Sequence, residues 1–408
     1  MAAQSEKIWS RDYIIVVMAS LGISFCNYFF FSTLPIYAQK LTGTTVYAGL
    51  VTTIYIYAAL AVRPLSGILS DKYGRSRLLV LGAAICCAAC FLYNYADGLM
   101  VLMLIRVLHG IGFGMHSTLG GAVAADVIPK SRMAEGIGYF GLYGAVAAAI
   151  APGIALFIIG DGALDRFRLL FILAVIVSFA SMILDCLITY EKNHNKKGFK
   201  GMTRTEKPAE GDNNLPKTFL GFEYAVFLPV LVNILLYVAL SSVTSFIFLF
   251  ALDRGLGNVG FFFTFNAIGT VLSRLSLGKV ADRRGADVIV IPGILGLAIS
   301  FALIPLVNTS PQLLLIAFLS GLAQGAVVPV MNTMMFERCS PQRRGTASAA
   351  FFASVDIGLG IGSIIFGIIA AYSYSCLYWG AMVCSVAALI VYCSGIVKKC
   401  RPDGLPHH

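Results

Sequence analysis

The chain is short of charge. Asp, Glu, Lys and Arg make up only 12% of its 408 residues, about half the share of an ordinary soluble domain. No GxxxxGK[ST] loop occurs, so the sequence shows no sign of its own ATPase, and no hydrolase motif appears. An enzyme is not expected. The ten cysteines have no metal-type spacing with histidine partners. They sit mostly inside apolar runs such as "ICCAAC", where they read as small buried side chains. The 41 glycines recur at small-xxx-small spacing ("GIGFGMHSTLGG", "GLGIGSIIFG") with no strand before them. That pattern serves close helix contacts, not nucleotide binding. No metal and no organic cofactor is expected.

Apolar residues are plentiful. They make up 58% of the chain, and the mean hydropathy is +0.83. A soluble globule of this size could not hide so much apolar surface. A bilayer can, at about 20 apolar residues per helix. Twelve such segments run near 13–38, 46–69, 77–96, 98–125, 135–160, 167–189, 222–250, 258–278, 287–307, 312–335, 345–371 and 376–397. They are long and continuous, unlike the ten-residue alternating strands of a barrel. The expected class is therefore an all-α integral membrane protein, with the lipid bilayer as its solvent. The first segment, behind "SEKIWSRD", is too long for a signal-peptide core, so no cleavage is expected. The closing "HH" reads as a tag remnant.

Lysine and arginine orient the chain. With the N-terminus in the cytoplasm, 23 of the 30 fall in cytoplasmic pieces. Four (Lys40, Arg166, Arg168 and Arg254) fall outside, and three (Arg63, Arg106 and Arg274) lie inside segments. Both termini are thus expected in the cytoplasm. The net charge of +10 is spread over these inner pieces as a topology signal, so no nucleic-acid partner is implied.

One charged turn is written twice. "RPLSGILSDKYGR" (63–75) and "RLSLGKVADRRG" (274–285) align Arg63 with Arg274, Gly67 with Gly278, Asp71 with Asp282 and Gly74 with Gly285, always 211 residues apart. Gly110, Gly114 and Asp126 match Gly321, Gly325 and Glu337 at the same offset. The polar stretch 190–221 has linker composition. The expected organisation is a six-helix half over 1–189, a cytoplasmic linker over 190–221, a second half over 222–400 and a tail over 401–408. Two such halves in one orientation imply a pseudo-twofold axis along the membrane normal, with a cavity between them.

"GILSDKYGR" (67–75) resembles the signature loop between helices two and three of the major facilitator superfamily. "LIRVLHGIG" (104–112) is similar to the family's fourth-helix motif, with His109 where Gln is usual. "GAVAAAIAPGIA" (144–155) partly matches the fifth-helix motif of its proton antiporters, around Pro152. The resemblance implies the major facilitator fold, monomeric function and a gate that holds the outward-facing state closed on the inside. In that gate Gly67 would admit a close helix approach and Gly74 a positive φ. Asp71 would face a helix N-terminus, and Arg75 would reach Asp126. Gly278, Asp282 and Gly285 would form a weaker copy, since Ala286 stands where Arg75 sits. Short loops suggest a bacterial inner membrane.

Ionisable groups inside a bilayer cost about 2.5–3.5 kcal/mol each on insertion scales, so each is a functional candidate. Arg106 lies about eight residues into helix four, and the resemblance makes it a proton-coupling or substrate-contacting group. Asp356 lies roughly 16 Å into helix eleven at 1.5 Å per residue and reads as the only carboxylate near a helix middle. Helices two and eleven face each other in this superfamily, so an Arg63–Asp356 pair competing with protonation is expected. Asn27, Tyr28, His116, Tyr143, Asn233, Tyr237, Asn266 and Gln324 sit near the middles of helices that line the cavity in the family, where some would bind a small-molecule substrate and others only join helices. Asp185, near the inner end of helix six, is expected to be solvated.

These features add up to a secondary transporter driven by the proton gradient. The first reading is efflux of a small organic or amphipathic solute, as in the multidrug-resistance-type antiporters. The alternative is uptake of a sugar, organic acid or other metabolite by symport or uniport. A channel or a receptor on the same scaffold would lack saturable exchange.

Overall fold

The computed structural model describes residues 8–129, 132–160, 163–191, 218–219, 222–257, 259–284, 286–338 and 344–394. Among the described residues there are twelve long helices. They are α1 (Arg11–Thr42), α2 (Val46–Tyr73), α3 (Arg75–Leu92), α4 (Leu99–Val127), α5 (Met133–Ile159), α6 (Leu164–Cys186), α7 (Tyr224–Asp253), α8 (Phe261–Arg284), α9 (Asp287–Leu303), α10 (Ser310–Glu337), α11 (Arg344–Ala370) and α12 (Tyr374–Cys393). Each coincides with one expected segment. Among the described residues, a two-residue antiparallel ladder ahead of α7 is the one strand pairing, joining Thr218 with Glu223 and Phe219 with Phe222.

Eleven of the helices are long and apolar enough to cross a bilayer. The remaining one, α8, carries Asn266, Arg274 and a basic end at Lys279, Arg283 and Arg284. Helices suit these runs because hydrocarbon offers a backbone no partner outside its own segment. Their ends follow local chemistry. Ser10 caps α1 by accepting from the Tyr13 N–H at 3.2 Å. Gly43, at φ 74°, stops α1 in the left-handed region and donates its N–H to the Gln39 carbonyl.

The chain divides into two compact units, 1–205 and 206–408, parted inside the stretch of linker composition. Within the first, α2 packs on α4, α3 on α4 and α6, and α1 on α5 and α6. Within the second, α8 packs on α10, α9 on α10 and α12, and α7 on α11 and α12. These are the same pairings, displaced by six helices.

The repeat extends to individual atoms. A Cβ on Gly110 would run into the Tyr55 carbonyl, and one on Gly114 into that of Ala59. In the second unit, Gly321 meets the Asn266 carbonyl and Gly325 that of Thr270. All four pairs are related by the offset of 211. The duplicated glycines therefore hold α4 on α2 and α10 on α8 at backbone contact. Gly67 does not fit this expectation, because a Cβ there would meet open space. The first unit is also tied end to end: Asp12, at the start of α1, accepts from the Thr189 N–H just past α6 at 3.2 Å.

Gly110→Ala or Gly321→Ala must push two backbones apart, at a cost of about 1–3 kcal/mol for overpacking. Either change should lower the thermal unfolding midpoint in detergent by several degrees. Gly141→Ala, where the added carbon meets nothing within 4 Å, should leave it unchanged or slightly raised.

Candidate functional site

Three features of the first unit bring expected site residues together. At the turn between α2 and α3, Gly74 has φ 91°, as the motif requires. The Arg75 guanidinium donates to Asp126 at the end of α4, 2.5 Å away. Two groups absent from the sequence expectation complete this cluster. Tyr190 donates its hydroxyl to the other Asp126 oxygen at 3.1 Å. The Glu191 carboxylate accepts from the Arg75 backbone N–H at 2.6 Å, placing an anion on the N-terminus of α3. Burial, together with the Asp126 and Glu191 carboxylates, holds the Tyr190 phenol well above its usual range, so it stays a donor. The side chains of Asp71 and Asp282, and Gly285, lie outside the described residues. Gly278 lies in α8.

The second unit has a related cluster where a weaker one was expected. Ala286 offers no charge, but Asp287 beside it accepts from the Tyr392 hydroxyl at 2.7 Å. Arg338 stands near that tyrosine. The acid now begins the third helix of the half and the base follows the fourth, the reverse of Arg75 and Asp126.

Around Arg106, α1, α2 and α4 converge. The guanidinium is fully buried. It lies 4.1 Å from the Tyr55 ring centre, and its Nε donates to the Val51 carbonyl at 3.0 Å. Tyr55 donates to Asn27 Oδ1 at 2.6 Å. His109, one turn on, shares a hydrogen bond between its Nδ1 and the Tyr93 hydroxyl at 3.2 Å and packs edge-on against Tyr55 and Phe30. Further along α2, Arg63 donates to Ser117 Oγ at 3.2 Å. Tyr143 of α5 lies beside Tyr28 and Ser24 of α1, within electrostatic reach of Arg63. Four helices thus share one polar neighbourhood; the buried Pro152, nine residues beyond Tyr143, interrupts the backbone bonding of α5.

Several residues of the second unit join helices. The Asn233 amide donates to Ser354 Oγ at 2.6 Å, fixing α7 to α11. Asn266 donates to Ser320 Oγ and to the Ala317 carbonyl, fixing α8 to α10. Tyr237 packs its Cβ close to Gly358. Gln324 and Asp356 are half-buried, Asp356 two residues beyond Ser354.

Asp185 overturns its expectation. It is 1% exposed, and its Oδ2 lies 2.9 Å from His116 Nε2. Its place near the end of α6 suggests water, but residues 188–190 fold back beneath it. Ile188 and Tyr190 join a buried cluster with Tyr13, Leu119 and Val123. His116 is itself 1% exposed, closed off by protein.

A model of the major facilitator superfamily matches residues 16–263 and 255–402. The chain belongs to that superfamily. It is thus a multi-pass membrane transporter, not an enzyme. It is 22% identical to the staphylopine export protein of Staphylococcus aureus (strain Mu50), over 96% of both chains. It is 25% identical to the multidrug resistance protein MdtG of Citrobacter koseri, over 88% of this chain and 87% of that one. Among solved structures, the nucleoside transporter NupG superposes with a TM-score of 0.76 at 14% identity, covering 94% of this chain and 99% of that one. That last likeness shows the fold.

The Arg75–Asp126 pair is part-exposed, so losing it should cost the folded state no more than about 1 kcal/mol. Arg75→Ala should nevertheless change how readily thiol reagents reach a cysteine placed beside the α2–α3 turn. Unchanged labelling with an unchanged unfolding midpoint would remove the cluster from gating.

Proposed function

We propose that this superfamily member is a proton-coupled exporter of a small organic or amphipathic solute. It exchanges solute for protons by alternating access in the inner membrane, with both termini in the cytoplasm. The reading is carried by similarity along almost the whole chain to proteins named for export. Two features of the chain support it: the Gly74–Arg75–Asp126 cluster, which joins α2, α3 and α4 as a gate would, and a set of ionisable groups inside the helices.

In this reading Asp356 of α11 binds a proton. Arg63 and Arg106, cations inside helices of the first unit, take part in the proton coupling, and Arg106 also holds the solute. Tyr28, Tyr143, Tyr237 and Gln324, half-buried on helices of the two units, offer hydroxyls and an amide to the solute. Asn27, Asn233 and Asn266 are engaged in joining helices.

Proteoliposomes with an imposed pH gradient test the reading. A panel of dyes, metabolites and chelators should include a solute that moves opposite to protons, with internal pH changing in step. Co-movement would instead make the protein a symporter, and unsaturable flux a channel. Asp356→Asn should abolish gradient-driven transport and leave solute exchange intact. Normal driven transport in that variant would remove Asp356 from the mechanism.

A further inference from the structure

The pair formed by His116 and Asp185 is not used by the mechanism above. Its surroundings are unusual. α4 and α6 sit diagonally in the first unit, with α1 and α3 packed against both, and the pair spans that diagonal. A Cβ on Gly82 of α3 would meet the His116 backbone N–H, and one on Gly22 of α1 would meet Ser181 of α6. These glycines leave the room in which the two side chains meet. Neither side chain reaches solvent, and Asp185 Oδ1 has no hydrogen-bond partner. Among the described residues, the Cys86 thiol of α3 lies within electrostatic reach of Asp185, and Cys26 of α1 and Cys90 stand close to Cys86.

The duplication supplies an internal control. Gly82 matches Gly293 and His116 matches Val327 at the offset of 211. Gly293 faces Val327 and the Ala323 carbonyl as Gly82 faces His116 and the Gly112 carbonyl, though it meets the side chain of Val327 and Gly82 the backbone of His116. The same position in the same packing is therefore filled by a valine in the second unit. The fold does not require a polar group there, and an apolar one of suitable volume is commonly as stable as a buried ion pair. The pair in the first unit needs another reason.

We infer that His116 and Asp185 form a proton-binding site in the first half, additional to Asp356 and resting on the proton-coupled reading. Charge counting defines how it works. With one proton shared between them, the pair is neutral as imidazolium and carboxylate, or as imidazole and carboxylic acid. Removing that proton leaves a bare carboxylate in a site closed to water, and adding a second leaves a bare imidazolium. Either charge is expensive when buried, so the sealed packing of α4 against α6 retains one proton. Loosening that packing admits water and lets the proton leave. Its exit is short, because Asp185 is one residue from the end of α6, where Cys186 and Leu187 are exposed. Five residues further on, Tyr190 holds Asp126 of α4. The seal over the proton and the Arg75–Asp126 cluster thus share the same two segments.

Infrared difference spectra of the purified full-length protein in lipid, taken across a pH titration, test the site directly. The unmodified protein should show carboxyl and imidazole bands that change together. Asp185→Asn should remove the carboxyl component, and His116→Gln should keep it with a shifted midpoint. Spectra from both variants that match the unmodified protein would overturn the inference. Should Asp185→Asn fail to fold, the apolar double variant His116→Val/Asp185→Leu serves, because a merely structural pair tolerates that exchange. In proteoliposomes the double variant should exchange solute but lose movement driven by the pH gradient. Full driven movement would mark the pair as structural. If the unmodified protein itself shows no driven movement, the proton-coupled reading fails while the infrared result still decides whether the pair takes up a proton.

Discussion

A polar side chain inside hydrocarbon has no water to fall back on. Such a group is stabilised by a partner on a neighbouring helix. This constraint explains why so few polar residues are present and why so many of them are paired across helices. Asn27 meets Tyr55, Asn233 meets Ser354 and Asn266 meets Ser320. Each pair spans two helices, so it fixes their register as well as satisfying its own atoms. Transport requires some such groups to change partners, and the groups whose needs are incompletely met are the natural ones to do so. Arg106 is one: its Nε is bonded, but its two terminal nitrogens have no hydrogen-bond partner.

Duplication lets the two halves be compared as two solutions to one packing problem. The glycine contacts between α2 and α4 recur between α8 and α10, so backbone approach is the part held in common. What differs is the polar equipment laid over it. Arg106 and His109 of the first half correspond to Ala317 and Ser320 in the second, and the charges at the α3 and α9 turns are reversed in sign. The scaffold is symmetric and the chemistry is not.

Most of the fold was legible from the chain. Continuous apolar runs set the twelve helices, because lipid leaves a long segment few other options. The Gly74–Arg75–Asp126 arrangement was legible because its motif is local and its charges stand out against apolar neighbours. Tyr190 and Glu191 were not, since nothing in residues 187–191 signals that the chain turns back under α6 once it has left it. The same return buries Asp185, whose nearness to a helix end argued for water. Gly67 illustrates the opposite error: a glycine in a motif suggested crowding where the described structure is open.

The bond from Thr189 to Asp12 has a wider meaning. It places the entry and the exit of a six-helix bundle side by side, since one residue opens α1 and the other follows α6. A bundle whose ends meet can be copied in tandem, or rejoined in a different order, without threading chain across its body. The segment that leaves this junction then needs to do little more than tether the next copy. An ancestral gene could have doubled there without rebuilding either product.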